Sequence, residues 1–122
     1  MKETKDTDAL IAIFNGCRKG NDTDAMKNIY TNVIVPGLTG KHTLPLEMMY
    51  YSSSWDWLMT VVETIENLNP SGDRWVVEIE GISCHIYSSD VSIDFERCTS
   101  TKLNSTYKTI VDFIIWYNQQ NL

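Results

Sequence analysis

Any chemistry in this chain would have to rest on His42 and His85, on Cys17, Cys84 and Cys98, on Asp56 beside Ser52, Ser53 and Ser54, on Glu63 with Glu66, or on Asp112. Cys84 and His85 are neighbours in an alternating apolar–polar run. On a strand they point to opposite faces and cannot share a metal ion unless the strand bulges. No second Cys/His pair stands nearby and no C-x-x-C spacing occurs, so the three cysteines read as reduced thiols, two of them core residues. His42 falls in a loop, where a solvated role is the plain one. Ser53 followed three residues later by Asp56 fits a helix N-cap, with Asp56 also near the positive end of the helix dipole. That accounts for both residue types without invoking a nucleophile. Glu63 and Glu66, three apart, read as a solvated helix face, and Asp112 among Val111, Phe113 and Ile114 as a polar position in a helical stripe. Phosphate-loop, dinucleotide-binding, zinc-protease and nucleophile-elbow patterns are all missing. The expectation is no catalytic residue, no metal ligand and no cofactor.

The surplus lies in aromatic residues. Six Tyr, four Trp and three Phe exceed what two helices and a small sheet must bury. Tyr50, Tyr51, Tyr87 and Trp116 are therefore expected at an apolar surface patch, which on a soluble protein marks a partner site. The alternative is that they roof the core beneath a long loop. A net charge of −6 opposes nucleic acid as a partner, because counterion release needs clustered Lys and Arg. The acids are also too scattered for a DNA mimic. With no apolar leader at the start and no run near the roughly 18 apolar residues of a membrane span, the expected location is the cytoplasm, with no membrane contact.

The elements that must position these residues follow from periodicity. At 122 residues and 43% hydrophobic content the chain reads as a single domain over 1–122, with 1–6 frayed. A short helix is expected over Asp8–Asn15, ended by Gly16. The segment 17–45, with Gly20, Pro36, Gly37, Gly40 and Pro45, reads as a long variable loop, holding a possible helical turn around Asp24–Tyr30 and a possible short strand at Asn32–Val35. Tyr50–Leu68 has the clearest helical period, with Trp55, Leu58, Met59, Val62 and Ile65 on one stripe widened by Trp57, Val61 and Leu68. After a turn at Asn69–Asp73 the period changes to two. Arg74–Glu80, Ile82–Tyr87 and Val91–Phe95 read as a three-stranded antiparallel meander turning at Gly81 and at Ser88–Asp90, with one wet face. A last helix from Ser100 or Thr101 to Gln119 places Leu103, Tyr107, Ile110, Val111, Ile114 and Tyr117 on its buried side, with Phe113 and Trp116 off it. The expected fold is α+β: a small three-stranded antiparallel sheet, with a fourth short strand possible, covered on one face by two long helices and a short N-terminal one.

Three segments, LIAIFNG near the start, SSWDWLMTVVETIENL in the middle and YKTIVDFIIWYNQQ at the end, resemble in type and order a group of small proteins of tailed phages and prophages, especially of Bacteroidetes bacteria. The resemblance covers about residues 9–16, 50–98 and 100–120, and Trp-Asp-Trp-Leu-Met is its specific part. The family usually has Pro after that Met, where this chain has Thr60, a better residue for a helix interior. It implies an accessory protein of a bacterial cytoplasm and no catalytic residues. The functional expectation is a non-enzymatic protein that binds a host or phage protein, with modulation of host defence as one role. A homodimer stays open, as do a small hydrolase or nucleotide-modifying enzyme with its site under the 17–45 loop, and a virion-associated component.

Overall fold

The computed structural model describes residues 2–68, 74–89 and 91–120, with side chains from Lys5 onward. It is α+β. The chain divides into two compact units, Met1–Thr60 and Val61–Leu122. The expected turn at Asn69–Asp73 and the Asp90 corner lie outside the described residues.

The first unit opens with helix α1, Lys2–Phe14, which begins earlier than the apolar period indicates. Lys2–Thr7 carries no apolar stripe, but it is rich in Lys and Glu, which favour helix. The helix stops at Gly16, whose φ of +97° suits glycine alone. Gly16 N donates to Ile13 O at 3.1 Å and Cys17 N to Ala12 O at 3.0 Å, the paired bonds of a Schellman cap.

The segment expected as a long loop is instead a sheet. Strands β1 (Arg18–Lys19), β2 (Ile29–Val33) and β3 (His42–Pro45) pair antiparallel in that order. The short strand allowed at Asn32–Val35 overlaps β2 at Asn32 and Val33, and periodicity misses the rest for two reasons. The strands are two to five residues long, and β2 shifts register between Tyr30 and Val33, where Asn32 takes φ +61°. A bulge with asparagine in the left-handed region destroys the alternation that a strand would show. Around residues 23–26 there is only a turn, with Met26 N donating to Thr23 Oγ1 at 3.0 Å. A 3-10 turn, Leu46–Met48, follows β3. Lys5 Nζ donates to the Leu46 and Met49 carbonyls at 3.4 and 3.3 Å and so ties α1 to that turn.

Helix α2, Trp55–Glu66, starts one turn-step later than the expected cap. Leu58 N donates to Ser54 O at 3.0 Å, which makes Ser54 rather than Ser53 the cap residue. Its buried side is Trp57, Leu58, Val61, Val62 and Ile65, while Trp55 and Met59 are only half-buried. The apolar residues encircle so much of this helix that spacing alone leaves the centre of the stripe undetermined.

In the second unit the expected meander is present. Strands β4 (Val76–Glu80), β5 (Ser83–Ser88) and β6 (Val91–Cys98) pair antiparallel in chain order. Glu80 faces Ser83 across a two-residue turn whose first residue, Gly81, has φ +57°, as the tight hairpin requires. Helix α3, Lys102–Gln120, packs on one face of this sheet. Thr101 caps it, accepting from Asn104 N through its hydroxyl at 3.1 Å. Where α3 crosses β5 it presents Ser105, Thr106 and Thr109, all fully buried. Each hydroxyl donates to the carbonyl one turn back, at 3.0, 2.9 and 2.7 Å. Small, internally satisfied side chains let the helix lie close to the sheet. Phe113, expected off the buried stripe, is fully buried. It meets Trp75 edge-on at 4.9 Å and Phe95 at 5.6 Å, because the face of α3 over the sheet is wider than one stripe. Among the described residues no helix is long and apolar enough to cross a membrane.

Candidate functional site

The four aromatic residues expected at one surface occupy four different settings. Tyr51 is fully buried and is not a surface residue. Its ring packs edge-on against Trp57 at 5.4 Å, and its hydroxyl lies beside Cys17 and Asn15. Trp116 is half-buried in an aromatic cluster, 5.6 Å from both Trp75 and Phe95. Tyr87 stands on the face of the second sheet away from α3. Tyr50 alone lies in an apolar surface depression.

That depression, in the first unit, is a groove of about 380 Å³ lined by Val35, Leu38, His42, Thr43, Leu44, Met48, Tyr50 and Trp57. Its lining comes from strand β3, the 3-10 turn and Tyr50 after it, the first turn of α2, and the link between β2 and β3. Leu38 is 57%, Met48 46% and Tyr50 45% exposed. Tyr50 is held from below by Trp57, edge-on at 6.2 Å, and from the side by Lys5 Nζ, 5.9 Å from its ring centre. The only imidazole in the lining, His42, is turned to its own loop, Nε2 lying 3.0 Å from Thr39 O. The groove therefore offers shape and apolar surface rather than reacting groups.

Beneath it lies a buried polar set. Asp8, 1% exposed, pairs with Lys5 at 3.5 Å. Asn15 Nδ2 donates to Thr60 Oγ1 at 3.0 Å, and that hydroxyl donates to Trp57 O at 2.7 Å. Burial pushes the Cys17 thiol up, the Tyr51 hydroxyl bond opposing, and burial pushes the Tyr51 phenol up strongly, with Cys17 adding to it. Both groups stay protonated at neutral pH, so neither is a ready nucleophile. They lie side by side in the core, and among the described residues the Tyr51 hydroxyl has no well-formed hydrogen bond there.

The second sheet's open face carries the other titratable groups. Tyr87 donates to Glu78 Oε1 at 2.6 Å, and that bond, more than burial, pushes the phenol up. His85 Nε2 lies 2.8 Å from Asp94 Oδ2, and the His85 and Tyr87 rings are 4.7 Å apart. A shallow hollow of about 390 Å³ beside them is lined by Glu78, Glu80, Ser83, His85 and Glu96, with Gly81 and Ile82. A His–Asp pair supplies the base and the acid of a nucleophilic triad, but among the described residues no hydroxyl or thiol bonds to His85. Nor does any group of three or more His, Cys, Asp or Glu among the described residues gather to hold a metal ion. On the covered face Asp112 is not a bare polar position: Arg97 grips it with Nε at 2.6 Å and a second nitrogen at 3.0 Å.

Spacing shows that His85 and Tyr87 share a wet face. It does not show their partners, since Glu78 and Asp94 reach them only through cross-strand register. The groove is less legible still, because Leu38, Leu44 and Met48 belong to strands and turns without period. Compared with protein-family models, with curated proteins and with solved structures, the chain has no match.

Proposed function

We propose that this is a binding protein without turnover, an accessory protein of the tailed-phage type that occupies a host or phage protein in the bacterial cytoplasm. The observation that carries the reading is the groove, in which Leu38, Met48 and Tyr50 are each about half exposed around the buried Trp57. Half-exposed large apolar side chains in one concave place are what a partner's apolar side chain covers. A net charge of −6 suits a partner with a basic surface by steering the encounter, which makes association sensitive to salt.

The test is a double variant, Leu38→Asp with Met48→Asp, in capture from bacterial lysate at low and moderate salt. Covering each of these side chains is worth about 1.5 kcal/mol or more. The double variant should therefore weaken capture by about a hundredfold and leave the thermal transition nearly unchanged. Undiminished capture would reject the groove as the contact.

A second reading has one observation in its favour. The His85–Asp94 pair could serve as a general base in a small hydrolase. Hydrolysis of a nucleotide or ester that is lost in His85→Gln would establish it against the binding account.

A further inference from the structure

We propose that the free edge of β6 takes up an extended segment of a partner protein in which basic and apolar side chains alternate. This contact is separate from the groove and does not depend on it.

At eight residues β6 is the longest strand of its sheet, and among the described residues all of its register partners lie on β5; the pairing shifts register between Ile86–Phe95 and Ser88–Val91, so the regular edge is Phe95–Cys98, with an irregular stretch before it. Along the regular stretch every second backbone N–H and C=O points away from the sheet, where another chain can reach it. Side chains then decide which chain fits. Asp94 and Glu96 lie on the open face, Asp94 reaching His85, which is the register partner of Glu96. Both acids are exposed. The strand's one cation, Arg97, is turned to the other face and held there by Asp112, so it does not offset them. Ile93, two residues before Phe95, is 39% exposed and gives an incoming strand an apolar neighbour. Beside the edge, Glu96 is also part of the wall of the hollow whose other acids are Glu78 and Glu80. A lysine or arginine reaching over Glu96 enters a hollow already lined with carboxylates.

The same charges disfavour pairing with a second copy of this chain about the centre of the strand. Antiparallel pairing of β6 with itself about Asp94, Phe95 or Glu96 sets Asp94 against Asp94, Asp94 against Glu96, or Glu96 against Glu96. Like charges directly opposite destabilise a pair. An edge guarded in this way stays monomeric and admits a strand of opposite charge, with Lys or Arg at alternate positions and Val, Ile or Leu between them.

The experiment uses the full chain, labelled for amide exchange, and three synthetic peptides as long as β6: alternating Lys-Val, the same composition with all Lys before all Val, and alternating Glu-Val. Alternating Lys-Val should slow exchange about tenfold at alternate amides of the regular stretch Phe95–Cys98 and leave α3 unchanged. The block-ordered and Glu-Val peptides should not. Glu96→Lys, which keeps the His85–Asp94 pair, should weaken the Lys-Val peptide about tenfold. Asp94→Lys with Glu96→Lys should switch the preference to Glu-Val, with folding of both variants checked by the α3 amides. Unchanged exchange in β6, equal protection by the block-ordered peptide, or β6 protection that grows with protein concentration alone would each overturn the proposal.

Discussion

Three thiols in three settings set the residue-scale chemistry. Burial pushes Cys84 up, while bonds from Thr106 and Thr109 act the other way. Cys17 is likewise buried, and Cys98 is exposed. A thiolate-directed reagent should label one cysteine, Cys98, within minutes and reach the other two only on unfolding; fast labelling at two sites would contradict the burial pattern. The sign of the pH dependence follows from the same groups. In the unfolded chain the thiols ionise near their ordinary value of 9.0 and the Tyr51 phenol near 10.0. In the native state all three hold their protons to higher pH. The native state then binds more protons than the unfolded one, so the stability these groups give is whole below about pH 9 and falls as pH rises through the native values. Urea midpoints should decline steadily above about pH 9, and a flat profile to the onset of base hydrolysis would show the thiols to be solvated. Tryptophan separates two neighbours: Trp57→Ala should cost about 3–5 kcal/mol as a buried anchor, and Trp55→Ala clearly less. Equal losses in urea melts would place Trp55 in the core alongside Trp57.

Element ends are the next scale. Thr101→Ala removes the hydroxyl that accepts from Asn104 N and should cost about 1 kcal/mol in denaturant unfolding, while Thr101→Ser should recover most of it. No loss in the alanine variant would mean that water replaces the cap. What was legible at this scale was whatever had room to repeat. Strands β4, β5 and β6 and helix α3 run five to nineteen residues, long enough for alternation or a helical period to declare itself. Cys84 buried with His85 on the open face is that alternation made physical. Strands β1 to β3 had no such room, and the Asn32 bulge broke the one strand that was long enough. In α2 the signal failed through excess, since apolar residues on nearly every side allow more than one stripe. The pairs Glu78–Tyr87 and His85–Asp94, and the whole of the groove, depend on register and on turns, neither of which spacing reports. Phe113 shows a further limit, because a helix lying on a sheet buries a broader face than a helix lying on one partner.

At the scale of the whole molecule, the proposed binding would use −6 charge and the half-exposed apolar groove at different stages of one event. Charge raises the rate of encounter with a basic surface and is screened by salt. In that proposal the groove then holds the complex through area removed from water. Salt should thus slow association while leaving the dissociation rate nearly constant, and groove variants should do the reverse. A single photo-crosslinking residue placed at Leu38, in cells of a bacterial host, tests the central claim most directly. The account predicts one covalent partner, captured at position 38, lost when Tyr50→Asp is added, and not captured when the same residue is placed at the exposed Lys108 of α3. Equal crosslinking at positions 38 and 108, or capture at 38 that survives Tyr50→Asp, would contradict it.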